Sequence, residues 1–468
     1  MAKVVHPAKV AGTITIPSSK SHTIRALLIA TLADGESRIT RPLDSKDARS
    51  CIHACRLLGA EIEEIRAPGD SRPGPGPGPA GGTAAPAAAT NAGRLTELIV
   101  RGVGGVPTVP EDVIDVGNSG TTLYLAVSVA ALVPGWTVFT GDKQIRRRPI
   151  RELLQALESL GARAFTTRET DAAPVCIQGP LTGGEATISC PTSQYLSSLL
   201  IAAPVARGRS EISIPLLNEK PYVEMTLWWL DGQGIRYQRQ GYDRFAVPGG
   251  QRYRPFNAAV PGDFSSATFF FCAPAITGSS LELEGLDMSD PQGDKQVLEI
   301  LQQMGCTVET LPGPSGGSRL RVTGPERSLT PGTFDLNDIP DALPALAVTA
   351  CYAEGETRLV NVPQARLKET DRIAVMAAEL AKMGGDVEEL PDGLVIRGCA
   401  PGPGGAERRP GLRGAKVESH DDHRVAMALA IGALGAQGPT EIHAWEAAEI
   451  TYPSFFAELE RLSVGERE

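Results

Sequence analysis

The stretch AKMGGDVEELPDGLVIRG, residues 381–398, closes a helix-like run on Gly384 and a β-rich run on Gly398. A glycine just past a helix supplies the left-handed residue that ends it, and the apolar run that follows reads as strand. The pattern recurs along the chain. LIVRG, VCIQG, FAVPG and LRVTG put glycines at 102, 179, 249 and 324, so that with Gly398 the separations are 77, 70, 75 and 74 residues. Before these stand RLLG, ESLG, DGQG and QQMG, closing on Gly59, Gly161, Gly234 and Gly305. The gap within a pair is 18, 15, 19 or 14 residues in four repeats and 43 in the first. The excess falls on PGDSRPGPGPGPAGGTAAPAAATNAG, so residues 66–93 are read as a disordered Pro/Gly/Ala-rich surface insertion with no part in the chemistry. The chain closes on FFAELERLSVG, read as a sixth helix without trailing strands. Units of about 75 residues are too long for a solenoid and suit α/β (α+β) domains, so six copies fall into two domains of three.

Each unit also opens its first helix with a polar cluster: SSKSHT, GNSGTT, CPTSQ, PGDFSS, IPDA and HDDHR. In IPSSKSHTIRALLIA, residues 16–30, Lys20 and Arg25 sit at or beside the first turn of a helix. Cations there oppose the helix dipole unless an anion is bound with them. If the repeats pack symmetrically, the polar helix starts converge and form an anion site without a metal.

The composition is that of an ordinary globular protein, with 42% apolar and 21% charged residues among 468. A formal charge of −10 speaks against a general nucleic-acid binder, so any site for an acidic ligand is a local concentration of Arg and Lys. The start MAKVVHPAKVAG has no apolar core of a signal peptide, and LYLAVSVAALV at 123–133 is too short to span a bilayer. A cytoplasmic, membrane-free protein is expected. The eight cysteines are scattered without a CxxC pair and are read as reduced thiols; in CIHAC, His53 points away from Cys51 and Cys55 on a helix, so no metal is placed there.

From residue 18 to 429 the chain carries, in order, SSKSHTIR, GNSGTT, GDKQIRRRPI, PTSQYLSSLL, EKPYVEMTL, GDFSSATFF, NDIPDALPALAV, RLKETDRI and DDHRVAMALA. Together these resemble the enolpyruvyl transferases over nearly the whole chain. The resemblance implies two domains of three βαβαββ repeats with helix N-termini converging on a cleft between them. Residues 1–14 and 259–468 would form the C-terminal (upper) domain and residues 15–258 the N-terminal (lower) one. The implied reaction moves the enolpyruvyl group of phosphoenolpyruvate to the 5-hydroxyl of 3-phosphoshikimate, on the route to chorismate and the aromatic amino acids. Phosphate is released. The implied partners are those two small molecules alone, with no cofactor, no metal, no nucleic acid and a monomeric state.

The resemblance also assigns residues. Lys20 lies between the substrates, while Ser21 and Arg25 grip the shikimate carboxylate, which suits the planar fork of arginine. Thr192, Ser193 and Gln194 start the helix that holds the acceptor phosphate and ring, joined by Tyr222, Gln364 and Lys368. Gly120, Arg148, Gln194, Arg372 and Arg424 serve phosphoenolpyruvate. Asp341 is the base for the 5-hydroxyl, and Glu369 or Lys20 protonates the methylene carbon. By spacing alone, Lys368 and Arg372 in KETDR would share a helix face. Arg146 and Arg147 are read as solvated, and His423 is left outside the catalytic set.

Some positions depart from the family pattern. Tyr124 stands for an arginine, Thr192 for serine, Gln364 for asparagine and Ile450 for a lysine that some members carry. Glu219 replaces a serine that touches the acceptor phosphate. A carboxylate there would repel the phosphate, so Glu219 is expected to turn onto Lys220, Lys368 or a helix N–H and leave Thr192 and Ser193 free. The alternatives are enolpyruvyl transfer to another acceptor, such as a UDP-amino sugar, and a non-catalytic phospholigand-binding protein on the same scaffold.

Overall fold

The computed structural model describes residues 2–67, 93–313, 318–326, 328–398 and 411–464. Residues 68–92, the bulk of the segment read as an insertion, lie outside them. The two glycines of the opening stretch have different physical reasons. Gly384 has φ 81°, and Gly59, Gly161, Gly234 and Gly305 share that left-handed backbone, where a β-carbon is strained. Gly398 instead lies close to a helix end: a β-carbon there would stand 2.4 Å from the Ala353 carbonyl oxygen. At Gly102, Gly179, Gly249 and Gly324 the corresponding carbonyl contacts would be 2.3, 1.8, 2.2 and 2.1 Å. In these five repeats the last strand thus closes onto the backbone at or just past the end of the repeat's inner helix.

Residues 184–247 show one repeat complete. Strand Gly184–Cys190, helix Ser193–Ala202, strand Ser210–Leu217 and helix Lys220–Gly232 lead to the hairpin Gln238–Gln240 and Arg244–Val247. The first two strands pair in parallel and the hairpin adds antiparallel. Among the described residues, five four-stranded sheets have this order. In two of them the first strand is exchanged. Thr13–Thr15 precedes the helix Lys20–Leu32 yet pairs with Ser280–Glu284, and Asn257–Ala259 precedes Phe264–Thr277 yet pairs with Glu36–Thr40. The sixth sheet is three-stranded, with Ala2–Val5 pairing antiparallel to Thr440–His443. The sixth helix is not bare as expected: Ser463–Val464 follows it and pairs with Lys9–Val10, because the chain's first residues fold back against its last.

Two apolar cores result, one built from Ile24 to Val260, the other from Val5 to Ile16 together with Phe264 to Leu462. The inner helices are buried nearly all round, as helices enclosed by sheets must be; every residue of Gly120–Ala130 is buried. Ser19, Ser119, Thr192 and Asp422 cap inner helices by accepting from backbone N–H groups two or three residues on. Asp341 caps nothing and sits in the short 3-10 turn Pro340–Ala342 ahead of Leu343–Ala350. Among the described residues no helix is long and apolar enough to cross a membrane.

Candidate active site

The helix starts open onto one cavity of about 30 Å³, space for about two waters. It is lined by Lys20, Ser21, Arg25, Gly120, Arg148, Ser193, Gln194, Tyr222, Asp341, Lys368, Glu369, Arg372 and Arg424, with Thr121, Glu219 and His423. Thr192 and Gln364 line a smaller neighbouring cavity instead, beside Tyr124. Gln364 donates to the Asn337 carbonyl at 2.8 Å, and its own side-chain oxygen is buried without a partner. Arg146 and Arg147 are exposed while Arg148 is buried. Ile450 is buried in the turn Trp445–Ile450, away from the cavity lining.

Acid and base alternate across this space. Arg148 lies 2.7 Å from Glu369, whose other oxygen accepts from Arg372 at 2.5 Å. Asp341 takes Arg372 on one oxygen at 2.8 Å and Arg424 on the other at 2.9 Å. Lys20 pairs with Asp47 at 3.2 Å, and Lys368 pairs with Glu219. Burial acts to raise the Asp341 carboxyl, but Arg424, Lys368, Arg372 and Lys20 overrule it and hold it far below the usual carboxylate range. Glu369 is depressed in the same way against its own burial, by Arg148, Arg372, His423 and Lys20. Both are ionised.

Arg25 differs from the other cations. It is fully buried and reaches Thr226 at 2.8 Å, the Tyr222 carbonyl at 3.0 Å and its own helix at the Ser21 carbonyl at 3.0 Å. No carboxylate among the described residues pairs with it, and burial pushes its guanidinium down to about 10. A buried cation supported only by neutral acceptors is prepared for an incoming anion.

Lys368 and Arg372 do not share a helix face. The helix starts at Arg372, because Asp371 caps it by accepting from the Ala374 N–H at 3.0 Å, and Lys368 stays in extended backbone before it. The expected turn of Glu219 onto Lys368 is present, but Lys220 instead lies over the Tyr242 ring. Thr192 and Ser193 are not left free: both hydroxyls and the Ser193 N–H donate to Glu219, since a helix N-terminus attracts the nearest anion. Tyr124 is accommodated behind Arg148. Its hydroxyl and that of Tyr195 both donate to the Pro149 carbonyl, at 3.1 and 2.6 Å, and so fix the backbone next to that arginine.

A family model described as EPSP synthase (3-phosphoshikimate 1-carboxyvinyltransferase) matches residues 4–93 and 87–459. The chain belongs to the EPSP synthase family. It is 49% identical over 457 residues to the 3-phosphoshikimate 1-carboxyvinyltransferase of Acetivibrio thermocellus, covering 98% of this chain and 97% of that relative. To the enzyme of that name from Methanocaldococcus jannaschii it is 37% identical, covering 95% and 94%. Among solved structures, EPSP synthase from Acinetobacter baumannii superposes with a TM-score of 0.75 at 29% identity, covering 99% and 98%. Like those EPSP synthases, the chain has a mixed helix-and-strand, two-domain fold.

Within this EPSP synthase fold, two partners of cavity groups, Asp47 on Lys20 and Asp294 on Tyr222, were invisible in the sequence. Asp47 follows an ordinary helix cap, Ser45, and nothing in its neighbours names Lys20 as its partner. Asp294 lies in the turn Gly293–Lys295 and accepts from the Tyr222 hydroxyl at 2.9 Å; burial, with Asp341 close by, raises its carboxyl to about 6. His423 is buried with neither ring nitrogen partnered among the described residues, and burial pushes it down to about 3, so the ring is neutral. Glu369, Asp422 and His423 offer ligand atoms within 4.8 Å of one another, but the arginines already hold both carboxylates. A cation would have to displace them.

Proposed function

We propose that this cavity transfers the enolpyruvyl group of phosphoenolpyruvate to the 5-hydroxyl of 3-phosphoshikimate, releasing phosphate, as the names of the relatives indicate. Membership of the EPSP synthase family carries the reading, and the ion-pair array supports the roles. Each carboxylate in it stands where a cation would otherwise face a substrate anion. Arg372 and Arg424 bind the phosphoenolpyruvate carboxylate, Arg148 and Lys20 its phosphate. Arg25 and Ser21 take the acceptor carboxylate, and Ser193, Thr192 and Lys368 the acceptor phosphate, with Gln194, Tyr222 and Gln364 placing the ring. Gly120 lets backbone and Arg148 close onto phosphoenolpyruvate: a β-carbon there would stand 1.9 Å from an Arg148 nitrogen.

Asp341 removes the 5-hydroxyl proton as the oxygen bonds to the substituted vinyl carbon, and the methylene takes a proton from the Lys20 ammonium or from Glu369 once Glu369 has itself been protonated. Loss of phosphate and of one methyl proton restores the double bond. Substrate binding tunes the base. When the phosphoenolpyruvate carboxylate draws Arg372 and Arg424 away from Asp341, the cations that depress its pKa are shared, and its basicity rises when the reaction needs it.

We read the two cores as two domains, residues 15–258 against 1–14 with 259–468; the cross-pairing of Thr13–Thr15 and Asn257–Ala259 supports a division near those points. The protein acts in the cytoplasm as a monomer and binds neither nucleic acid nor membrane, consistent with its net charge of −10. A phosphate-release assay with 3-phosphoshikimate and phosphoenolpyruvate tests the reading. Release that requires both substrates supports it. Release with a different acceptor only, or binding of both without release, overturns it in favour of another transferase or a binding protein.

A further inference from the structure

Glu219 is 1% exposed and stands against the N-terminus of the Ser193–Ala202 helix. One of its oxygens accepts three hydrogen bonds, from the Ser193 N–H at 3.0 Å, the Ser193 hydroxyl at 2.8 Å and the Thr192 hydroxyl at 3.1 Å. The other pairs with Lys368. A helix-terminal N–H, two hydroxyls and an ammonium are the donors of an oxyanion cradle. Three donors crowd onto a single carboxylate oxygen, whereas a phosphoryl group would spread them over three. The Glu219 backbone is left-handed, with φ 60° and ψ 43°, a conformation that glutamate does not favour and that these contacts hold in place. The Lys368 pair also joins the two cores, since Glu219 belongs to the first half of the chain and Lys368 follows the Pro363–Leu367 turn of the second.

We propose that Glu219 is an internal substitute for the acceptor's phosphate. Its carboxylate fills the cradle until acceptor arrives, and the phosphate of 3-phosphoshikimate enters by taking over those donors and expelling it. Glu219 is thereby a specificity-determining residue. A phosphorylated acceptor displaces it, an acceptor without the phosphate does not, and free phosphate, which lacks the ring contacts that reward the exchange, is kept out. The proposal rests on the reading of Thr192, Ser193 and Lys368 as the acceptor-phosphate site.

The test compares wild type with Glu219→Ser and the isosteric, uncharged Glu219→Gln, and separately with Ser193→Ala and Lys368→Met. The readouts are KM for each substrate and the inhibition constant of inorganic phosphate against 3-phosphoshikimate. Both Glu219 variants should lower KM for 3-phosphoshikimate and the phosphate inhibition constant at least threefold, Glu219→Ser the more strongly, with KM for phosphoenolpyruvate moving less than twofold. Ser193→Ala and Lys368→Met should raise KM for 3-phosphoshikimate tenfold or more. If those two behave so while Glu219→Ser and Glu219→Gln leave both constants unchanged or raise them, the substitute is overturned and the cradle stands. If Ser193→Ala and Lys368→Met leave KM unchanged, the cradle reading fails and takes the proposal with it.

Discussion

Asp341 and Glu369 each face two arginines across less than 3 Å, so at neutral pH both are carboxylates and neither is an acid in the unliganded protein. We expect Asp341→Ala and Glu369→Gln each to lower turnover by about a hundredfold or more, the usual loss for a general acid or base. Steady-state kinetics near wild type for either variant removes that residue from the proton transfers. His423 lends itself to a different measurement. Its folded pKa, about 3, lies below the unfolded value, so between about pH 6.5 and pH 3 the unfolded chain binds the extra proton and stability falls as pH falls. The slope from this ring is at most about 1.4 kcal/mol per pH unit. Urea midpoints at pH 7, 6 and 5 should therefore fall less steeply in His423→Asn than in wild type; parallel curves would contradict a neutral buried ring. The cavity arginines and the carboxylates of Asp341 and Glu369 were legible because short motifs bracket them. Asp47, Asp294 and the contacts of Glu219 were not, because each partner is fixed by tertiary packing: Lys368 is 149 positions from Glu219.

Helices and turns were read from the glycine pairs, and their physical basis explains why the reading transferred from repeat to repeat. A left-handed residue after a helix and a strand end lying on a carbonyl are both requirements that only glycine meets without strain. Exchanged strands could not be read that way, since Thr13–Thr15 carries the same local signal whichever sheet it joins. At the start of the Gly120–Ala130 helix, Gly120→Ala would push the Arg148 guanidinium off its position and loosen its contact with Glu369. KM for phosphoenolpyruvate should rise about tenfold or more while KM for 3-phosphoshikimate changes little; equal rises in both would place Arg148 elsewhere. The strands Glu61–Arg66 and Leu95–Arg101 meet at a hydrogen bond from Ala67 to the Arg94 carbonyl at 2.9 Å, so the intervening residues are not needed to close that hairpin. Replacing 68–92 by a short turn should leave turnover within about tenfold, since loop length contributes little to closure. A larger loss in the folded variant would bring the segment into the cleft.

Across the whole molecule, Gln144 is one of the groups outside the cavity lining through which the two cores meet. Gln144 donates to the carbonyls of His420 and Asp421 at 3.3 Å each and accepts from Asn118 at 2.5 Å. His420 and Asp421 are both left-handed, immediately before Asp422 caps the helix that carries Arg424. Gln144 thereby links the turn of Arg148 to the helix of Arg424, two groups assigned to one substrate. Gln144→Ala should raise KM for phosphoenolpyruvate at least threefold; an effect confined to 3-phosphoshikimate would show that the link serves the other end of the cleft. The sequence announced a two-domain repeat but not this bridge, which depends on how the domains sit together.

The strands at the chain's beginning set a timetable for synthesis. Ala2–Val5 and Thr13–Thr15 leave the ribosome long before their partners, Thr440–His443 and Ser280–Glu284. At about 5–20 residues per second, Ala2–Val5 waits roughly 20 to 90 seconds for its place. The middle of the chain can meanwhile assemble the first core up to its parallel edge, which closes when Asn257–Ala259 emerges. The newborn protein thus carries an unpaired Ala2–Val5 strand for most of the translation of these residues, and the cleft stays incomplete until the helix His423–Leu434 is made.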